Sequence, residues 1–167
     1  MNVGTPRVKD SEDLRFSAAQ RRLHESTGPD DALEAVREIV TGLLGCEEIG
    51  LYRVNAGDSR LFWSFGIDPG RYQNLQQFDA SGVKKVMAGE LHIGNAASEP
   101  GRNQSLRVFV PIRVNESTVA VLVMLKMLPQ KLGLDESDMR VVELLAQESA
   151  QYLFIAKARA SAARRNG

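Results

Sequence analysis

Residues 107–114 have the sequence RVFVPIRV, and residues 118–125 have the sequence TVAVLVML. Both runs are rich in apolar and β-branched residues, and the polar triplet Asn115-Glu116-Ser117 separates them, which predicts a β-hairpin. After the hairpin, Asp135 precedes a long amphipathic pattern and is a favourable N-cap for a helix. The stretch 106–156 is therefore predicted to be a β-hairpin followed by a capped helix.

Two helices are expected before the sheet. The segment 7–27 has a thin apolar stripe at helical spacing, which includes Phe16 and Leu23 and requires a partner helix. A second helix is expected to be capped by one of the aspartates at 30–31 and to end at Gly45. Its apolar face is wide, which predicts packing against a sheet.

Further strands and a short helix are predicted between the second helix and the hairpin. Residues 48–54 and 60–66 are rich in β-branched and aromatic residues, and a turn-forming NAGD sequence lies between them. A short helix is expected to follow a cap at Asp79 or Ser81. The region 94–105 has no large apolar side chain, so it is predicted to be a surface loop.

The composition fits a single core domain with short flanking segments. The chain has 167 residues, of which 43% are hydrophobic, and this is enough for one buried core. Lys and Arg number 21, and Asp and Glu also number 21, so no net charge favours nucleic acid or an anionic membrane. Neither a nucleic-acid partner nor a membrane partner is expected.

Few signals for targeting or metal binding occur in the sequence. The N-terminus has no apolar segment typical of a secretion signal, and no run of about 18 apolar residues predicts a membrane span. Cys46 is the only cysteine, so an internal disulfide is excluded and a reducing, cytoplasmic location is expected. His24 and His92 are too few and too far apart in sequence to form a metal set with it, and heme ligation through His92 is a minor alternative.

In this order, the predicted elements resemble those of the GAF domains, a family of small-ligand sensor domains. The resemblance covers about residues 30–156 and includes Pro111 within a strand and the acidic cap at Asp135. None of the matching segments is a catalytic signature. The segments that carry the resemblance are DALEAVREIVTGLLGCEEIGLYRV (31–54), RLFWSFG (60–66), ASGVKKVMAGE (80–90), SLRVFVPIRVNESTVAVLVMLKM (105–127) and LDESDMRVVELLAQESAQYL (134–153).

The resemblance implies an α+β fold of the GAF-like, PAS-related type. A central antiparallel β-sheet would carry the terminal helices on one face and a short helix and loops over the other face. In many members the second face encloses a small-molecule pocket, and the terminal helices usually join two copies into a homodimer. We therefore expect an N-terminal dimerisation helix at 1–28, a GAF-like domain at 29–160 and a disordered tail at 161–167.

The motifs of the well-known GAF subtypes are missing. Cyclic-nucleotide-binding members carry an Asn-Lys pair and, after a Phe, a spaced Asp-Glu, whereas Phe78 is followed by DASGV. Bilin-binding members use a pocket cysteine, but Cys46 lies where a helix is predicted to meet a strand. The methionine-sulfoxide reductases with this fold need more than one cysteine. The cofactor is therefore unknown, with no motif for a cyclic nucleotide, bilin, heme or metal.

Aromatic and basic residues are the candidates for a ligand pocket, although aromatic residues in strands more often belong to the core. Arg53, Arg102, Arg107 and Arg113 could supply positive charge for an anionic ligand, and a solvated position is the expected alternative for at least three of them. The pocket candidates are Trp63, Phe65, Tyr72, Phe78, His92, Arg107 and Phe109. The candidates for the dimer interface are Phe16, Leu23, Met139, Val142, Leu145 and Tyr152.

These observations predict a non-catalytic, cytoplasmic regulatory domain of the bacterial signalling type. It would act in signal transduction by binding a small ligand, a protein partner or both, as a dimer joined by its terminal helices. The alternative is a scaffold without a pocket that acts only through protein interaction, which a pocket filled by Tyr72, Phe78 and Met87 would favour. Catalysis is the weakest hypothesis, because the sequence has no GxGxxG, P-loop, HExxH or GxSxG motif.

Overall fold

The computed structural model describes residues 8–95, 106–128 and 133–155. The strands are β1 (Cys46–Asn55), β2 (Asp58–Phe65), β3 (His92–Asn95), β4 (Leu106–Val114) and β5 (Ser117–Met127). The helices are α1 (Val8–His24), α2 (Pro29–Glu38), α3 (Ala80–Met87) and α4 (Glu136–Ala150), with a 3₁₀ turn at Leu75–Gln77. π-Helical turns at Ile39–Leu43 and Gln151–Ile155 extend α2 and α4. Most of the predicted loop, at 96–105, the predicted end of the last helix, at 156–160, and the predicted tail at 161–167 lie outside the described residues.

The five strands form one antiparallel sheet in the order β2-β1-β5-β4-β3. The predicted hairpin is the β4–β5 pair, in which Val114 lies opposite Ser117. Asn115, in the turn, has a φ of 58°, a conformation that asparagine tolerates better than most residues. β3 pairs with residues 106–109 of β4, so Pro111 lies beyond the end of β3, where its missing N–H is least costly.

The β1–β2 hairpin contains an irregularity that decides which side chains share a face. Leu51 lies opposite Trp63 and Tyr52 lies opposite Leu61, so Phe62 is an extra residue in β2. Leu61 and Trp63 consequently pack on opposite faces of the sheet, although they are two residues apart. Strict alternation would place them on the same face.

One face of the sheet, here called the helix face, is covered by α1, α2 and α4. In β5, alternation places Ala120, Leu122 and Met124 on this face. The helices contribute the larger part of the core. Their fully or almost fully buried apolar residues, with those of the π-helical turns that extend α2 and α4, are Ala19, Leu23, Ala32, Ala35, Val36, Ile39, Val40, Val141, Val142, Leu144, Leu145, Ala146, Ala150 and Leu153.

α1 packs alongside α4, and the two helices run parallel. Arg15 Nη2 lies 2.9 Å from Asp138 Oδ1 near the start of α4, and His24 Nε2, at the end of α1, lies 3.0 Å from Glu148 Oε1 further along α4. α1 thereby covers the apolar residues of α4 that the sheet does not cover. The partner helix that the apolar stripe of segment 7–27 required is therefore present within the same chain.

The start of α2 differs from the prediction. The helix begins at Pro29, which is favourable at the first helical position because its φ fits and its missing N–H is not needed. Asp31 does not cap the helix and instead accepts hydrogen bonds of 2.9 Å from Thr27 N and from Arg22 Nη2. The predicted cap at 30–31 is therefore wrong, because Pro29 starts the helix before either aspartate.

The second face of the sheet, here called the aromatic face, is covered by α3 and the 3₁₀ turn. α3 begins as predicted, because Asp79 accepts a hydrogen bond of 3.3 Å from Gly82 N, and Gly89 follows its end with a φ of 88°. The α+β fold with terminal helices on one face and a short helix on the other is confirmed. None of the helices within 8–95, 106–128 and 133–155 is long and apolar enough to cross a membrane.

Candidate functional site

Phe78 is the centre of an aromatic cluster that lies between the sheet and α3. Its ring stacks on Tyr72 with centroids 5.4 Å apart and an interplanar angle of 2°. It also meets Phe109 and Tyr52 edge to face, at 5.6 Å and 5.8 Å. Aromatic pairs in these geometries stabilise by about 0.5–1.5 kcal/mol beyond the burial of their area. Tyr52, Tyr72, Phe78 and Phe109 are called the aromatic cluster below.

Tyr52 anchors this cluster to the sheet. Its side chain is fully buried, and its hydroxyl donates a hydrogen bond of 2.8 Å to the carbonyl of Tyr72. Burial raises the pKa of Tyr52 well above its ordinary value, so the phenol stays protonated and able to donate. Gly50 makes room for the ring, because a Cβ at that position would lie 2.9 Å from Tyr52 Cε2.

Two arginines lie against the aromatic cluster. The guanidinium carbon of Arg107 is 5.7 Å from the centroid of Phe78, and that of Arg71 is 5.3 Å from the centroid of Tyr72. Arg107 Nε is buried and has no hydrogen-bond partner. Cations over aromatic faces contribute about 0.5–2 kcal/mol, but a ring face does not accept the in-plane N–H groups of a guanidinium.

His92 lies beside Arg107 on the same face of the sheet. Its ring packs on Phe109 with centroids 5.5 Å apart. Two glycines form the slot for this ring: a Cβ at Gly82 would lie 2.6 Å from His92 Cδ2, and a Cβ at Gly94 would lie 3.0 Å from His92 Nε2. Because Gly94 pairs with Arg107 across the β3–β4 ladder, Nε2 is directed toward the strand position of Arg107.

The structure brings together five of the seven pocket candidates. Tyr72, Phe78, His92, Arg107 and Phe109 lie on the aromatic face and contact one another.

Trp63 and Phe65 do not belong to this group. They lie opposite Leu51 and Ile49, which belong to the helix-face core, so they cannot line a pocket on the other face. Phe65 instead lies 5.4 Å from the Arg37 guanidinium of α2. Phe62 also contacts this side, with its ring 5.8 Å from that of Phe154, although strict alternation in β2 would place it on the face opposite to Trp63.

Two residues of this site were not among the pocket candidates. Tyr52 follows directly after the helix-face residue Leu51, so alternation in β1 could have placed it with Phe109. Arg71 lies in an irregular segment, where no periodicity indicates the direction of a side chain.

The dimer candidates divide into two groups. Leu23, Val142 and Leu145 have exposed fractions of 0%, 1% and 0% within the single chain. They are core residues and have no surface left for a second copy, which corrects their assignment to an interface. The physical reason is that α1 already occupies the outer surface of α4. The remaining candidates, Phe16, Met139 and Tyr152, are partly buried.

Phe16 and Met139 line an open groove of about 320 Å³ between α1 and α4. The Arg140 guanidinium lies 4.7 Å from the Phe16 ring and covers one side of this groove. Leu14, two residues earlier on α1, does not line the groove, because residues two apart lie on different sides of a helix, and its exposed fraction is 69%. The groove and the outer side of α1 are therefore two places where the helix pair exposes apolar groups.

Groups for covalent or metal chemistry are sparse. Cys46 is buried, donates a hydrogen bond of 3.2 Å from Sγ to the Glu48 carbonyl, and has a pKa raised by burial, so its thiolate is disfavoured. In the part of the chain that the structure describes, no three His, Cys, Asp or Glu side chains are placed to hold a metal ion. The arrangement on the aromatic face combines aromatic walls with the two cations Arg71 and Arg107 and the imidazole of His92.

Comparisons with known proteins agree on the fold. No family model matches the sequence, and neither does any curated protein. The GAF domain of an Acinetobacter phosphoenolpyruvate-protein phosphotransferase is 15% identical with a TM-score of 0.64, over 93% of this chain and 98% of that one. The Stigmatella aurantiaca phytochrome photosensory core module is 13% identical with a TM-score of 0.70, over 99% of this chain and 40% of that one.

An enzyme also shares the architecture. The type II free methionine-R-sulfoxide reductase from Thermoplasma acidophilum is 14% identical with a TM-score of 0.56, over 87% of this chain and 96% of that one. At these identities the common property is the arrangement of helices and strands, and it is the arrangement described above: a five-stranded antiparallel sheet between terminal helices and a short covering helix. The chain has the fold of the GAF domains.

Proposed function

We propose that this chain is a non-catalytic sensory domain that acts in signal transduction by binding a small molecule on its aromatic face. The observation that carries the proposal is the buried Arg107 Nε without an acceptor, set beside His92 and the aromatic cluster. Apolar walls with a few directed polar groups are typical of small-molecule sites. The fold supports the proposal, because a phytochrome photosensory module shares it.

The proposed mechanism is a shift in the population of two arrangements of α3. Thr118 Oγ1 in β5 donates a hydrogen bond of 2.9 Å to the carbonyl of Val86, near the end of α3. The Arg113 guanidinium connects the residue after α3 with α4. Its Nη1 donates a hydrogen bond of 3.4 Å to Gly89 O, and its Nη2 donates one of 3.4 Å to Glu143 Oε2 of α4. A ligand that favours one position of α3 would bias these contacts and thereby the surface of α4.

We further propose that two copies associate through the α1–α4 surface. The groove is lined in part by the apolar side chains of Phe16 and Met139, and Leu14 adds an exposed apolar side chain on the outer side of α1. A change in the position of Arg113 would reach the dimer through Glu143, which also lines the groove. A signalling protein partner would then recognise the altered dimer, and the cytoplasm is the expected location.

Catalysis is not part of the proposal. The methionine-sulfoxide reductases of this fold need more than one cysteine, and this chain has one, Cys46, which is buried. An enzyme would be supported by turnover that Cys46→Ala or His92→Gln abolishes.

Native mass spectrometry of the chain purified from its own host tests the sensory function. We expect a retained small molecule of defined mass, which is absent from Phe78→Ala and Arg107→Gln protein purified in the same way. Circular dichroism controls the folding of both variants, and Arg60→Gln, an exposed change on β2, is the matched control that should keep the molecule. Protein that carries no molecule, and that gains none from a cell extract of small metabolites, contradicts the proposal.

The alternative is a scaffold that has lost its pocket and acts only through protein contacts. One observation favours it: the Phe78 side chain occupies the middle of the space below α3 and has an exposed fraction of 7%. In a scaffold, Phe78→Ala creates a cavity and destabilises the fold by about 3–5 kcal/mol without changing any binding. In a sensor, the same change alters the affinity or the choice of small molecule.

A further inference from the structure

We infer that the molecule bound on the aromatic face is an anion, specifically a small carboxylate that carries an apolar body. This inference rests on the proposed sensory function and names the class of its ligand. It follows from three features of one site: a cation that has no counter-ion among the described residues, a second nitrogen directed to the same region, and an apolar wall beside both.

Arg107 differs from most of the other described arginines. Within the described part of the chain no carboxylate pairs with it, and its buried Nε has no acceptor. A buried polar group without a partner is costly, so such groups in native proteins usually have a water or ligand partner. Described arginines with a carboxylate partner include Arg15, Arg22, Arg37, Arg60 and Arg113.

The geometry around Arg107 favours a planar oxyanion. A guanidinium presents its N–H groups in one plane, in a fork that matches the two oxygens of a carboxylate. The Phe78 ring lies against the guanidinium and leaves the in-plane N–H groups to a different partner. His92 Nε2, held in its slot by Gly82 and Gly94, is directed to the same region and can donate a further hydrogen bond.

The charges near this site favour an anion over a cation. Arg71 lies on the Tyr72 side of the stack and is a second cation beside the aromatic cluster. Asp79, the cap of α3, lies near His92 and accepts hydrogen bonds from Ser81 Oγ at 2.8 Å and from Gly82 N at 3.3 Å. Among these described residues there are two arginines and one carboxylate, so the site has a surplus of positive charge for an incoming ligand.

The apolar body of the ligand would lie against Tyr72 and Phe78. Their rings are parallel at 5.4 Å, and Tyr72 is only partly buried, so part of the stack is open to a third apolar group. A bare inorganic anion would leave this surface uncovered. The chemistry of the site therefore fits a carboxylate on an aromatic or aliphatic body better than it fits phosphate alone.

Benzoate and benzamide are the matched probes for this inference, because they have the same size and differ in charge. In an NMR titration of the full chain, we expect benzoate to move the Arg107 Nε–Hε resonance and to bind at least about tenfold more tightly than benzamide. Inorganic phosphate should bind more weakly than benzoate. Equal affinities for benzoate and benzamide, or phosphate binding as tight as that of benzoate, would overturn the carboxylate assignment.

Variants locate the effect at one side chain. Arg107→Gln should weaken benzoate binding at least about tenfold, Arg107→Lys should have an intermediate effect, and Arg60→Gln, which removes an equal charge from β2, should change it less than about twofold. If Arg107→Gln does not fold, the Nε–Hε shift in the unchanged protein and Arg107→Lys still decide the matter. The inference is wrong if Arg107→Lys binds benzoate with unchanged affinity and if benzoate does not shift the Arg107 Nε–Hε resonance of the unchanged protein.

The failure of this inference differs from the failure of the sensory function. If a retained metabolite is neutral, or if benzamide alone moves the resonances of the aromatic cluster, then the sensory function is supported and the inference that the ligand is an anion is wrong. If no small molecule is retained and neither probe moves any resonance of the aromatic face, then both fail.

Discussion

Arg15 Nη2 and Asp138 Oδ1 are 2.9 Å apart at the junction of the first and last helices, and the side chain of Asp138 is almost completely buried. Asp138 also accepts a hydrogen bond of 3.1 Å from Asp135 N, so one carboxylate both caps α4 and holds α1. Arg15 donates in addition to the Leu43 carbonyl and to Ser137 Oγ. This side chain therefore joins α1 to two other parts of the helix face.

Replacing Arg15 should loosen α1 without removing the sheet. Arg15→Met leaves the buried Asp138 carboxylate without this charged donor, and we expect the free energy of unfolding to fall by about 1–3 kcal/mol, since Arg15 is itself partly exposed. Urea denaturation followed by circular dichroism measures the change. Arg21→Gln, an exposed change on the same helix, is the control and should cost less than about 0.5 kcal/mol.

Leu14 and Leu23 separate the role of α1 in folding from its role in association. Leu23 is fully buried, so Leu23→Ala should destabilise the chain by about 2–5 kcal/mol. Leu14 is exposed, so Leu14→Asp should leave the stability within about 0.5 kcal/mol and should shift the proposed dimer toward monomer in analytical ultracentrifugation. An unchanged protein that is monomeric at micromolar concentration contradicts the dimer.

Gly66 and Gly57 test a steric requirement at the end of β2. Both have positive φ, 77° and 82°, but a Cβ at Gly66 would lie 2.3 Å from the Glu47 carbonyl oxygen, whereas a Cβ at Gly57 meets nothing within 4 Å. We expect Gly57→Ala to cost about 1–2 kcal/mol from conformation alone. Gly66→Ala should cost at least about 2 kcal/mol more, because the backbone must also move. Equal costs in thermal or urea unfolding would show that the Glu47 contact is unimportant.

Cys46 should make the fold less stable at alkaline pH. Burial raises the pKa of its thiol, so above about pH 8.5, where a free cysteine ionises, the unfolded chain has lost a proton that the folded chain keeps. The unfolded state then binds fewer protons, and the free energy of unfolding falls as pH rises. We expect Cys46→Ala to reduce the slope of this fall between pH 8 and pH 10. Because the substitution also changes packing, the slopes and not the absolute stabilities are compared, and identical slopes contradict the prediction.

The local patterns of the sequence were enough to predict most of the helices and strands, and the resemblance of their order to the GAF domains implied the fold class. Alternation and turn residues fixed the hairpin at Asn115, and helical spacing with a cap fixed α4 after Asp135. These signals are local, and each agrees with the tertiary structure. The cap of α2 was predicted incorrectly because Pro29 and the aspartates that follow it are competing start signals, and the proline position prevailed.

The partners of side chains were less predictable than the elements. A single extra residue, Phe62, shifts the register of β2, so the face of Trp63 could not be deduced from alternation with Leu61. Similarly, an apolar stripe on a helix does not reveal whether its partner lies in the same chain or in a second copy. Leu23 of α1 and Leu145 of α4 both belong to apolar stripes of this kind, and both are buried by contacts within one chain.

The parallel direction of α1 and α4 has a mechanical consequence. Because Arg15 lies next to Asp138 and His24 lies next to Glu148, the pair has the beginning of α1 at one end and the end of α4 at the other. Polypeptide joined before α1 and polypeptide joined after α4 would therefore leave the pair at opposite ends of one axis. A rotation or a sliding of one helix along the other would be transmitted along that axis as torque or as a piston stroke.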